Sequence, residues 1–182
     1  MGGRQQDIRV GTLAGMEISL APGFYLATVL VGAIFFLAGI GVFHKTPRNA
    51  LAGAFALALL HWVSETWHNY GHFTAARNTG FPMVGVRLGT AMLVFGTSIY
   101  PEDEPQLSAA VHIRRALGGP ISNAILGVVG LVGVVALNSS HSTFSWVAGV
   151  FTLENFVVFV IGNFLPFGFN DGSTMLRWMR HR

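Results

Sequence analysis

Two histidines four residues apart, His68 and His72, sit in the stretch HWVSETWHNYGHFTAARNTG (61–80), which also holds His61 and Glu65. On a helix turning about 100° per residue, with His68 at zero, His61 falls near 20°, His72 near 40° and Glu65 near 60°. One stripe carries all four. Imidazoles at i and i+4 can meet a single metal ion from one helix. With seven histidines in 182 residues, about 0.3 such pairs arise by chance, so the spacing alone decides nothing. A set of histidines hydrogen-bonded within a helix bundle would satisfy it equally. The stripe nevertheless ends an apolar run, where each polar group needs a partner, and a functional role is then the working hypothesis. His61 lies about 16 Å along the axis from His72, too far to share its metal. Its expected partner is Glu154, which is isolated in another apolar run.

The elements that must position this stripe are membrane helices. The chain is 52% hydrophobic and 10% charged, with mean hydropathy +0.54, more apolar than a soluble core of this length needs. Four uncharged or nearly uncharged runs, at about 20–43, 50–76, 116–137 and 144–165, are long enough to span a bilayer. The first is too long for a cleaved signal peptide and follows a mostly polar stretch. The expectation is an all-α integral membrane protein of about four transmembrane helices, with a polar N-terminal tail at 1–18 and a single membrane domain at 19–182. Residues 83–99 alternate as a small β-hairpin or interfacial segment between helices 2 and 3, and Glu102, Asp103 and Glu104 read as a solvated turn. Four spans put both termini and residues 77–115 on one side, with nine of the eleven Lys and Arg residues, so that side is expected to be cytoplasmic. The same topology accounts for the net charge of +3 without nucleic acid as a partner. The lack of cysteine excludes disulfides, thiolate metal sites and a cysteine nucleophile.

Three short motifs occur in order at the ends of runs two, three and four: HNYGHFTAAR (68–77), LGGPISN (117–123) and NFLPFGFNDG (163–172). Together they resemble the site-2 protease family of intramembrane zinc metalloproteases, whose pattern is HExxH, then GPxxN, then NxxP followed by an aspartate–glycine pair. Gly71, Gly119, Pro120, Asn123, Asn163, Pro166, Asp171 and Gly172 each take the family position. The resemblance implies zinc held by His68, His72 and Asp171. Two neutral imidazoles and a carboxylate suit Zn²⁺ and leave a fourth position open.

The sequence departs from the family at Asn69, which stands where the catalytic glutamate belongs. An amide nitrogen has no basic lone pair and an amide oxygen is a very poor base. Asn170 is a second departure, polar where an apolar residue is usual. Glu65, one turn before His68 on the same stripe, is the candidate substitute base or a support for the His68 ring. The expected function is a catalytically impaired, protease-like subunit that holds a transmembrane segment or completes a larger membrane complex, among lipid and other transmembrane proteins. The alternatives are an active intramembrane metalloprotease using Glu65 and a pigment- or haem-binding subunit, for which one histidine facing a bundle interior suffices.

Overall fold

The computed structural model describes residues 7–91, 94–137 and 142–180. The chain opens on a hairpin of β1 (Ile8–Leu13) and β2 (Met16–Leu20). Ala14 and Gly15 between them both have positive φ, 50° and 94°, which a two-residue hairpin turn matched to strand twist requires. Much of the expected polar tail is therefore strand. Its alternation is short and interrupted by Arg9 and Glu17, which form an ion pair at 2.7 Å across the hairpin, but its inward residue Met16 is fully buried.

β2 pairs in parallel with β3 (Gly85–Ala91), and β3 pairs antiparallel with β4 (Phe95–Ile99), giving a four-stranded sheet in the order β1-β2-β3-β4. The hairpin expected within 83–99 is thus half of a larger sheet. Its parallel step needs a crossover, supplied by α1 (Phe24–Gly41) and α2 (Pro47–Asn78). Met16, Val86 and Leu88 of the sheet pack with Ala27 of α1 and with Trp62, Phe73 and Ala76 of α2 in one apolar core.

α2 starts where the Thr46 hydroxyl accepts the Asn49 amide, with Pro47 in the first turn. Its 32 residues make it about 48 Å long. It packs against α1, α3 (Ala109–Ala136) and α4 (Thr143–Leu153), and α4 continues without a break as a π-helix over Glu154–Gly162. Among the described residues, three helical stretches are long and apolar enough to cross a membrane: Phe24–Gly41, Ala109–Ala136 and Thr143–Gly162. Four were expected, and α2 is the difference. Its second half exchanges apolar residues for His61, Ser64, Glu65, His68, Asn69 and His72, all buried inside the protein. A helix surrounded by other helices can be polar where one facing lipid cannot.

α2 and α3 touch backbone to backbone. A Cβ built on Gly71 would lie 2.2 Å from the Gly118 carbonyl oxygen and 2.5 Å from the Ser122 hydroxyl. Just above, the Trp67 indole donates to the Ser122 carbonyl at 2.9 Å, and the Ser122 hydroxyl donates to the Trp67 carbonyl at 3.1 Å. Gly71→Ala should therefore force the helices apart, at a cost of about 1–3 kcal/mol. Thermal unfolding in detergent checks this, and an unchanged midpoint would contradict it.

Candidate metal centre

His68 and His72 leave α2 on the same side, and Asp171 is the first residue of α5 (Asp171–Met179). Asn170 fixes that start: its Oδ1 accepts the Ser173 amide at 3.2 Å while its Nδ2 donates to the carbonyls of Gly162 at 2.9 Å and Leu165 at 2.5 Å. The polar residue that departs from the family pattern is thus the helix cap that aims Asp171. His68 Nε2 lies 3.1 Å from Asp171 Oδ2, His72 Nε2 lies 3.3 Å from Asp171 Oδ1, and the two Nε2 atoms are 3.0 Å apart. Asp171 thus meets the histidine pair, and the three residues form a group that could hold a metal ion.

The hydrogen bonds behind the rings decide what these atoms offer. His72 Nδ1 is 2.7 Å from the Arg115 carbonyl oxygen. A carbonyl only accepts, so Nδ1 carries the proton and the Nε2 of the neutral ring keeps its lone pair. His68 Nδ1 is 3.0 Å from Asn123 Oδ1, and the same reasoning leaves His68 Nε2 bare. With both rings neutral, two bare nitrogens and a carboxylate face each other with no donor between them. A small cation satisfies that arrangement. Gly119 leaves the space: a Cβ there would lie 2.4 Å from His68 Nε2 and 2.5 Å from His72 Nε2. Gly172 permits the approach of α5, since its Cβ would lie 2.6 Å from the Phe164 carbonyl oxygen and 2.7 Å from that of Asn163. Pro120, within α3, lacks the amide that would bond one turn back and is buried. Asn163 ends the π-helix and donates to the Phe159 carbonyl at 3.1 Å. Pro166 lies apart from the cavity, at the edge of a shallow cleft beside α5.

Glu65 and Asn69 form a locked pair. The Asn69 amide nitrogen donates to Glu65 Oε1 at 3.0 Å, and its oxygen accepts the Ser98 hydroxyl at 2.9 Å. Glu65 Oε1 also accepts the Gly96 amide of β4 at 2.7 Å. Of the two roles expected for Glu65, substitute base or support for the His68 ring, the second falls to Asn123, and Glu65 turns towards the sheet. Both residues still line the cavity of about 620 Å³ that contains the three candidate ligands. Phe95, Phe159, Phe167 and Phe169 give it apolar walls. Burial pushes the Tyr100 phenol in the same cavity up to about 12, so it stays protonated and is no base.

His61 pairs with Glu154 at 2.7 Å, as its isolation suggested, and its other nitrogen meets the Val94 carbonyl at 2.7 Å. The pair ties α2 to the π-helix and to Val94 before β4, away from the candidate ligands.

Several site residues were not singled out from the sequence. Arg115 supports His72 through its carbonyl, stacks on Tyr100 at 4.4 Å, and grips Glu104 with both of its terminal nitrogens. Glu104 is therefore not part of a solvated turn. The bond from Arg115 holds its carboxyl below the ordinary 4.5. A group lowered in this way stabilises the fold fully above its unfolded value, and the contribution disappears as pH falls through the lower folded value. Below about pH 4.5 the native chain should lose stability towards that of Glu104→Gln, which parallel acid titrations would read. Asn155 and Ser64, both fully buried, connect behind Asn123. An asparagine beside a glutamate inside an apolar run was the signal for Asn155, whereas no pattern in the sequence marked Ser98.

No protein-family model and no curated protein matches the sequence. Among solved structures, a site-2 protease from Methanocaldococcus jannaschii matches over 96% of this chain and 72% of its own, with a TM-score of 0.62 at 18% identity. With that likeness and its three apolar helices, this chain is a membrane protein that has the fold of a site-2 protease.

Proposed function

We propose that the chain holds zinc through His68, His72 and Asp171, is impaired as a protease at Asn69, and serves as a binding or structural subunit within a larger membrane assembly. The observation that carries the metal is the convergence of His68 Nε2, His72 Nε2 and the Asp171 carboxylate at 3.0–3.3 Å while Nδ1 of each ring is engaged by an acceptor oxygen. Zinc so held would supply a Lewis acid and lower the pKa of a water molecule. The chain's own residues then lack a proton acceptor at position 69, because the Asn69 amide is engaged on both sides and is no base. What remains is a cavity with phenylalanine walls and a polar floor, suited to an apolar segment whose backbone is partly unwound. The occupant on this reading is a transmembrane segment of another protein. α2 crosses the membrane as a fourth, inner span, both termini are cytoplasmic, and lipid surrounds the outer helices. Convergence of three ligands on one point favours a single small ion over a haem or pigment, for which one histidine suffices.

A second reading, an active protease using Glu65, is favoured by the placement of that carboxylate in the same cavity. Reconstituted native protein distinguishes the two. The impaired reading expects no chelator-sensitive cleavage of a helix-destabilised transmembrane substrate. Cleavage that Glu65→Gln removes while zinc stays bound would overturn it in favour of the second.

A further inference from the structure

We infer that Asn155 and Ser64, neither of which offers a ligand atom, are positioning residues that choose the tautomer of His68 and so keep its Nε2 open to a metal. This rests on the metal reading above and adds what controls it.

The chain of contacts can be followed from the outside inward. Asn155 Nδ2 donates to the Phe151 carbonyl at 2.9 Å and to the Ser64 hydroxyl at 3.1 Å. The Phe151 carbonyl only accepts, so the amide can face it only with nitrogen, and Asn155 Oδ1 is turned towards Asn123. Asn123 Nδ2 donates to that oxygen at 2.8 Å and to the Ser64 carbonyl at 3.3 Å. Its own Oδ1 must then face His68 Nδ1, which must carry the proton.

The opposite arrangement has a local attraction of its own. With the Asn123 amide reversed, its nitrogen would require a bare His68 Nδ1, and the ring proton would move to Nε2. There it would face Asp171 Oδ2, 3.1 Å away, in an ordinary imidazole–carboxylate hydrogen bond, and the lone pair would be closed to a metal. The reversal is opposed because it would set Asn123 Oδ1 against two acceptors, the Ser64 carbonyl and Asn155 Oδ1. Removing Asn155 leaves only the longer contact to Ser64. The π-helix brings this residue to α2, since Glu154, Asn155 and Phe159 all meet α2 side chains from it.

The test uses the full chain in detergent, ¹⁵N-labelled at histidine, with two readouts. In metal-free protein whose rings are neutral, the nitrogen shifts of His68 should report the Nδ1–H form in the native chain and a shift towards Nε2–H in Asn155→Leu. Competition against a chelator should show zinc bound about 10- to 100-fold more weakly by that variant, the range for loss of an outer-shell partner. Asn155→Asp retains an acceptor for Asn123 Nδ2 and, as the neutral acid, a hydroxyl to donate to the Phe151 carbonyl that the Asn155 amide meets, so at a pH that keeps the acid neutral it should restore both readouts. If the leucine variant does not fold, Ser64→Ala, which removes one acceptor of the Asn155 amide, should move both readouts in the same direction by a smaller amount. Thr152→Val, at a buried position on the same helical segment, should move neither. A folded Asn155→Leu, or Ser64→Ala in its place, with native tautomer and native zinc affinity overturns the inference. A native chain that binds no zinc defeats the metal reading instead, and the nitrogen shifts still decide whether the relay selects the tautomer.

Discussion

Exchanging the carboxylate and the amide, Asn69→Glu together with Glu65→Gln, is expected to raise zinc-dependent cleavage of a helix-destabilised transmembrane substrate above the native background by about 10²-fold or more, the scale of a restored general base. Asn69→Glu alone is the weaker variant. The Asn69 amide donates to Glu65 Oε1 at 3.0 Å, so a second carboxylate there would face the first, and like charges at that distance resist joint ionisation. The paired exchange removes that conflict. One oxygen, Glu65 Oε1, meets both the Gly96 and the Asn69 amides, so a glutamine at 65 that keeps its oxygen on Gly96 must turn to donate with its nitrogen to the introduced carboxylate, which can also accept the Ser98 hydroxyl. Discontinuous cleavage assays on reconstituted protein read the outcome. Turnover by the native chain that survives Glu65→Gln would contradict both the impaired and the Glu65-dependent readings, because neither residue would then be the base.

Gly119→Ala should remove metal binding while leaving the helices assembled. The added Cβ would stand within 2.5 Å of both Nε2 atoms, where a ligated ion would be. Helix backbone holds the Cβ in place, so the imidazoles must give way. Their Nδ1 bonds to Asn123 and to the Arg115 carbonyl resist that movement, and the ligand set opens. The comparison with Gly71→Ala is instructive, because that methyl group meets the Gly118 carbonyl and the Ser122 hydroxyl instead and should act mainly on stability. Zinc content and unfolding midpoint, measured on both variants, separate the two effects. A Gly119→Ala chain with native zinc affinity would place the metal elsewhere.

The residues that meet in the centre were legible because each lies in a short motif with fixed spacing. His68 and His72 share a helix face, and Asp171 follows Asn163 and Pro166 at the family interval. The partnership of His61 with Glu154 was legible from cost alone, since a lone ionisable group within an apolar run requires one. The hairpin at 8–20 was not, because five- and six-residue strands carrying Arg9 and Glu17 look polar when read as composition. Its parallel pairing with β3, across more than sixty positions, leaves no local trace. The partners of Glu65 were not legible because periodicity gives the face of a helix but not the neighbour opposite it, and β4 approaches there. The same limit hid Ser98 and Ser64, small polar residues whose importance depends on what the fold brings against them. Counting spans by hydropathy missed the special position of α2, whose polar side chains are covered by the helices and the β4 strand packed on that face.

Metal analysis of the purified chain tests the central claim most directly. After preparation in zinc-replete detergent buffer and removal of free metal, the native chain should retain about one zinc ion, and His72→Ala, still folded by circular dichroism and unfolding midpoint, should retain none. A correctly folded native chain with no zinc, or a His72→Ala chain that keeps its zinc stoichiometrically, would contradict the account.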